Sequence, residues 1–292
     1  MSIVDAHHHL WDHGRNRYPW LQGEMHDRGW GDLRPLQKNY LVGDLLADGA
    51  RQGLEKSVHV QANAADPVGE SAWLEEIAAE RGFPHGIVAF ADFSSAEVES
   101  VLEGHARFPR MRGIRQVLNR HADPKLNRAP KDYLADDTWQ ANLGKLRRYG
   151  WSFDVQVYWQ QMPAVGALAR RYPDIQFILD HAGMPVERDA AGLEGWRRGM
   201  RQLAGCPNIA VKLCGYGMLD NRWTVDSLRP LVLEPIEWFG AQRCMFASNF
   251  PVDRLMASYD RLWNAYRDIT ADFSPAEKDA LLGRNAERLY RL

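Results

Sequence analysis

The sequence predicts a single (β/α)8 barrel of the α/β class, spanning residues 1–292 with no linker, low-complexity tract or internal repeat. Three observations predict it. Eight short β-rich runs alternate with longer helical patterns, the signature of serial β-α units. Several of the runs are almost continuously apolar, as parallel strands covered on both faces require. No glycine-rich phosphate turn follows the first run, where a doubly wound open sheet would carry one.

The elements follow in order. Strand Ile3–His9 opens the chain. Leu10–Leu41 is too long for an ordinary connection and is expected to carry function. It holds Trp11, Tyr18, Trp20 and Trp30, either a lid over a pocket or satellite core beneath a loop. Helix Val42–Gln52 leads to strand Lys56–Gln61, and helix Pro67–Arg81 to strand Gly86–Ala91. Helix Ser95–Ala106, capped by Ser94 or Ser95, precedes strand Arg112–Val117. A second extended loop, Leu118–Asp137, reaches helix Thr138–Tyr149 and strand Ser152–Val157. Helix Met162–Arg171, strand Ile175–Asp180, helix Leu193–Leu203 and strand Ile209–Leu213 continue the alternation. Helix Val225–Phe239, strand Cys244–Ser248 and helix Leu255–Ile269 complete it. Pro275–Tyr290 reads as an added C-terminal helix with Ser274 as N-cap and Pro275 at its first position.

Composition narrows the function classes. A formal net charge of −2 gives no basic excess for nucleic acid. Three scattered cysteines, Cys206, Cys214 and Cys244, lack C-x-x-C spacing and form no disulfide framework, which suits a reducing cytoplasm. No apolar run reaches transmembrane length and the N-terminus shows no signal-peptide pattern, so no membrane partner is expected. A small-molecule substrate is the expected partner, and a homo-oligomer is left open.

In such a barrel, chemistry sits at the C-terminal ends of the strands. The first strand ends in Asp5-Ala6-His7-His8-His9. Residues i and i+2 of a strand share a face, so His7 and His9 are expected to project together, with His8 opposite. Paired neutral imidazoles can hold a metal, polarise a carbonyl or move a proton. The other strand ends add Arg115, His181, Lys212 and Asn249. Arg115 fits either an ion pair at the barrel mouth or a fork for an oxygen-rich substrate. Lys212 fits a substrate contact or a buried pair with a carboxylate. Asp180 alternates with His181 and is expected to face away from the site. His59 is expected to be a packed, hydrogen-bonded side chain.

Asp5-Ala6-His7-His8-His9-Leu10-Trp11-Asp12 followed by Tyr18-Pro19-Trp20-Leu21 resembles the lactonase-like branch of the amidohydrolase superfamily, which includes sugar-acid lactonases and 2-pyrone-4,6-dicarboxylate lactonase. Arg112-Gly113-Ile114-Arg115, Leu179-Asp180-His181-Ala182-Gly183, Val211-Lys212-Leu213 and Arg284-Asn285-Ala286-Glu287-Arg288-Leu289-Tyr290 extend the resemblance over the whole chain. It implies opening of a lactone by activated water. The histidines of strands 1 and 6 would bind and polarise the carbonyl, and a strand-8 aspartate would be the general base. It also implies either no cofactor or one divalent metal, zinc foremost, held by His7, His9 and His181. No bridging lysine or glutamate for a second metal stands on strand 4 or 5.

The departure is Asn249, where the branch carries aspartate. An amide accepts no proton near neutral pH and is a weaker metal ligand than a carboxylate. The base then lies elsewhere, with His181 and Asp253 nearest, or activity is low, or the reaction differs. The expected catalytic set is His7, His9, His181 and Asn249. Arg115, Trp11, Tyr18, Trp20 and Lys212 are expected to bind a small lactone. The competing readings are a non-oxidative decarboxylase of an aromatic acid and a metabolite-binding barrel without turnover.

Overall fold

A computed structural model describes residues 2–24 and 30–292. Eight parallel strands run in sequence order around a barrel: β1 Ile3–His8, β2 Leu54–Val60, β3 Gly86–Ala89, β4 Met111–Val117, β5 Ser152–Gln156, β6 Phe177–Leu179, β7 Ile209–Leu213 and β8 Cys244–Phe246. Strands and helices fall where the apolar runs and periodicity place them. Boundaries differ most where the chain bends into the mouth. β6 and β8 stop at Leu179 and Phe246, short of the expected Asp180 and Ser248. The C-terminal helix is interrupted by a π turn at Ala280–Arg284 between Pro275–Asp279 and Asn285–Tyr290.

The seam between β8 and β1 closes through the residues after β8. Asn249 N donates to His7 O at 2.7 Å and His9 N to Phe250 O at 2.7 Å. Asp5 fastens the same seam: its carboxylate accepts from Ser248 N (2.9 Å), Ser248 Oγ (2.6 Å) and Tyr259 Oη (3.0 Å). Burial pushes the Asp5 carboxyl up to about 6, partly offset by these donors. At the opposite end, Ala286, Leu289 and Tyr290 pack into one cluster with Val4, Ala6, Val58, Val88, Ala210 and Met245. Lys56 pairs with Glu287 at 2.6 Å, so the last helix covers the strand N-termini and leaves the other end as the only mouth among the described residues.

β1 is not a plain strand. It pairs with β2 as Asp5↔Ser57 and then His8↔His59, a one-residue shift. Such a bulge re-aims a side chain next to it. Asp5 accordingly turns to Ser248 and Tyr259, whereas His7 meets Asp180 and Lys212.

Candidate active site

The strand ends build a cavity of about 270 Å³. His9, Arg115, His181 and Asn249 line it, joined by Gln61 and Gln156. A larger space of about 610 Å³ lies beside Trp11, Tyr40, Pro251 and Arg254, and no histidine lines it among the described residues. The smaller cavity is the one that gathers the strand-end histidines.

Three of its non-glycine residues have left-handed backbone: Asn63 (φ 57°), His181 (φ 54°) and Asn249 (φ 56°). Such conformations are uncommon and concentrate at functional sites. At His181 the consequence is direct. The left-handed turn breaks strand alternation, so Asp180 and His181 both face inward. This corrects the expectation for Asp180, which lies 3.4 Å from His7 Nδ1, 3.2 Å from Arg115 Nε and 3.2 Å from Lys212 Nζ.

Below the cavity floor lies a buried charge network. Lys212 Nζ is 2.6 Å from Asp154 Oδ2, which also accepts from Tyr290 Oη at 2.6 Å. Lys212 is fully buried and absent from the cavity wall, so it is a structural ion pair rather than a substrate contact. Burial lowers its affinity for a proton, but Asp154 and Asp180 more than restore it and hold it above its ordinary value. Burial likewise pushes the Asp180 carboxyl up, yet Lys212, His7 and Arg115 hold it well below the usual range. Arg115 spans both levels. Its guanidinium donates to Asp180 and Gln156, the expected ion pair, and it also borders the cavity.

The imidazoles are neutral. Burial, reinforced by Arg115, holds His9 down at about 4. Burial holds His181 down at about 3 despite the nearby Asp180. Burial and Lys212 lower His7 further. His9 Nδ1 lies 2.7 Å from Val60 O, and a carbonyl can only accept, so Nδ1 carries the proton and Nε2 the lone pair. Asn249 bridges His9 and Asp253; its Nδ2 donates to Asp253 Oδ1 at 3.0 Å. Burial pushes the Asp253 carboxyl up to about 7.

His7 and His9 project together, with ring centroids 5.0 Å apart, and His181 lies 4.8 Å from His7. His8 turns away to Ser57 Oγ at 2.9 Å. His59 is buried and accepts from Leu10 N at 3.1 Å. The aromatic lid is corrected in part. Trp20 and Trp30 line the cavity. Trp11 is core, with its Nε1 donating to Lys38 O at 2.7 Å. Tyr18 is also buried, beside Glu70. The remainder of the predicted lid, residues 25–29, lies outside the described residues. Among the polar wall residues that were missed are Gln61, Asn63, Arg128 and Gln156, although Gln61 follows a strand and Gln156 ends one, as the catalytic candidates do.

A divalent metal fits these side chains. His7 Nε2 is buried without a hydrogen-bond partner among the described residues. His7, His181 and Cys214 bring ligand atoms within 4.8 Å of one another. Asp180 Oδ1 lies 3.4 Å from His7 Nδ1, on the side of the ring away from Nε2, where an outer carboxylate of a ligating imidazole stands.

A parallel barrel with histidines converging at its strand ends is the frame of a hydrolase. The chain belongs to the amidohydrolase family, which it matches over residues 4–292. It is 43% identical over 302 residues to an uncharacterized protein of Sinorhizobium fredii, covering 100% of this chain and 99% of that one. It is 32% identical over 304 residues to an L-fucono-1,5-lactonase of Burkholderia multivorans, covering 99% and 96%. A crystal structure of a Burkholderia multivorans amidohydrolase with bound zinc superposes with a TM-score of 0.84 at 28% identity, covering 100% of both chains. Among the described residues, no helix is long and apolar enough to cross a membrane.

Proposed function

We propose that this chain hydrolyses a small lactone of a sugar acid. The observation that carries the proposal is the cavity wall itself. Its polar part is made of amides and neutral imidazoles, namely Gln61, Asn63, Gln156, Asn249, His9 and His181, with two guanidiniums, Arg115 paired to Asp180 and Arg128 beside Trp30. A wall rich in hydrogen-bonding amides and imidazoles suits a hydroxyl-rich ring. Gln61 Nε2 is buried without a partner among the described residues and can donate to a ring hydroxyl or ring oxygen. The L-fucono-1,5-lactonase relatives support the same class.

In this reading, Arg115 and His181 receive the lactone carbonyl and stabilise the charge that develops on its oxygen. A divalent ion held by His7 and His181 supplies Lewis-acid polarisation when bound. His9 Nε2, the lone-pair nitrogen on the wall, takes a proton from the attacking water. The water oxygen bonds to the carbonyl carbon. The ring C–O bond then breaks, and the proton passes to the ring oxygen, which leaves as a hydroxyl. Asn249, whose Nδ2 donates to Asp253 and whose amide accepts no proton, is not the base. Trp20 and Trp30 limit water at the mouth.

The test is proton release across a panel of 1,4- and 1,5-lactones of sugar acids, with 2-pyrone-4,6-dicarboxylate for comparison. Turnover of a sugar-acid lactone is expected. Turnover of the pyrone alone, or of none, rejects the proposal.

A further inference from the structure

Asn249 leaves the strand-end histidines without the carboxylate ligand expected of a metal site at that position. The structure offers another anionic donor nearby. Cys214 directly follows β7 and is completely buried. Its Sγ lies 3.3 Å from His181 Nδ1. Sγ, one ring nitrogen of His181 and one of His7 all fall within 4.8 Å of one another. A second observation points to a ligand here: His7 Nε2 is fully buried and has no hydrogen-bond partner among the described residues. Such an atom costs free energy unless something binds it.

We infer that Cys214 replaces the strand-8 carboxylate as the anionic ligand of a zinc ion held with His7 and His181. The donor set is chemically consistent: thiolate and imidazole are the preferred ligands of this borderline-soft ion. Binding converts Cys-SH and Zn²⁺ into a sulfur–zinc bond and one released proton; nothing is oxidised or reduced. Cys206 and Cys244 are also buried, but neither joins this group among the described residues. The chain thus keeps a charge-balancing ligand while position 249 is freed to bridge His9 and Asp253. This inference does not depend on the lactone reading, because its test uses no substrate.

The purified protein is stripped with a chelator and loaded with cobalt(II). One equivalent of cobalt is expected, with a near-ultraviolet thiolate-to-cobalt charge-transfer band. Cys214→Ser should abolish the band and weaken zinc binding at least about 10- to 100-fold, the loss that removal of even an outer partner causes. Cys214→Ser combined with Asn249→Asp should recover affinity without the band. X-ray absorption of the unaltered zinc protein guards against a misfolded variant: one sulfur at about 2.3 Å beside nitrogens at about 2.0–2.1 Å is expected. Absence of metal binding, a site with nitrogen and oxygen ligands only, or a band that survives Cys214→Ser each overturns the inference.

Discussion

Asn249→Asp probes the strand-8 corner of the site through stability as well as activity. Asn249 Nδ2 lies 3.0 Å from Asp253 Oδ1, and both side chains are buried. The substitution places two carboxyls in contact there. At an effective dielectric constant of about 20, two charges about 3 Å apart repel by about 5 kcal/mol, or roughly four pKa units. The folded pair therefore keeps one proton well into the alkaline range, whereas the unfolded chain loses both near pH 4. In the unaltered protein Asp253 alone is raised, to about 7, chiefly by burial. Its stabilising contribution is fully present below its unfolded pKa and lost as pH rises through about 7; above that it is constant. The variant continues to lose about 1.4 kcal/mol per pH unit, one extra proton held by the native state. Urea unfolding from pH 6 to 9 should show a gap between variant and unaltered protein that widens by about 2 kcal/mol between pH 7 and 9. A gap that stays constant with pH would refute the contact between positions 249 and 253, and with it the bridge to His9.

Three further outcomes are expected. Trp20→Ala should raise KM about fivefold, the loss of about 1 kcal/mol of aromatic contact, with kcat little changed; steady-state kinetics on the active lactone measure it. Lys212→Met leaves Asp154 buried without its cation and Asp180 with Arg115 alone, and should cost about 3–5 kcal/mol in urea unfolding. Burial raises the Glu70 carboxyl to about 8, so its contribution to stability is present below its ordinary value and lost as pH rises through about 8. Glu70→Gln should accordingly flatten the decline of Tm between pH 6 and 9.

Much of the site was legible because barrel geometry assigns chemistry to strand ends. Placing His9, Arg115, His181 and Asn249 at four such ends was enough to put them on one cavity wall. Alternation predicted that His7 and His9 point together, but not that a bulge sends Asp5 the other way. Asp180 was misread for a similar reason: period-two reasoning stops where His181 turns left-handed. Trp11 was misread because its partner, the Lys38 carbonyl, lies 27 residues away, and pairing at that range leaves no local pattern. Cys214 carried no motif at all. Its meaning comes from the neighbours that β6 and β7 bring to it.

The most direct measurement is the rate of lactone-ring opening by His181→Asn against the unaltered protein, both shown to be folded by circular dichroism. His181 stands at the end of β6, on the cavity wall beside Arg115. Loss of a group that stabilises the developing oxyanion should lower kcat by about 10²–10³-fold. Ring opening at the unaltered rate would place the chemistry somewhere other than this cavity.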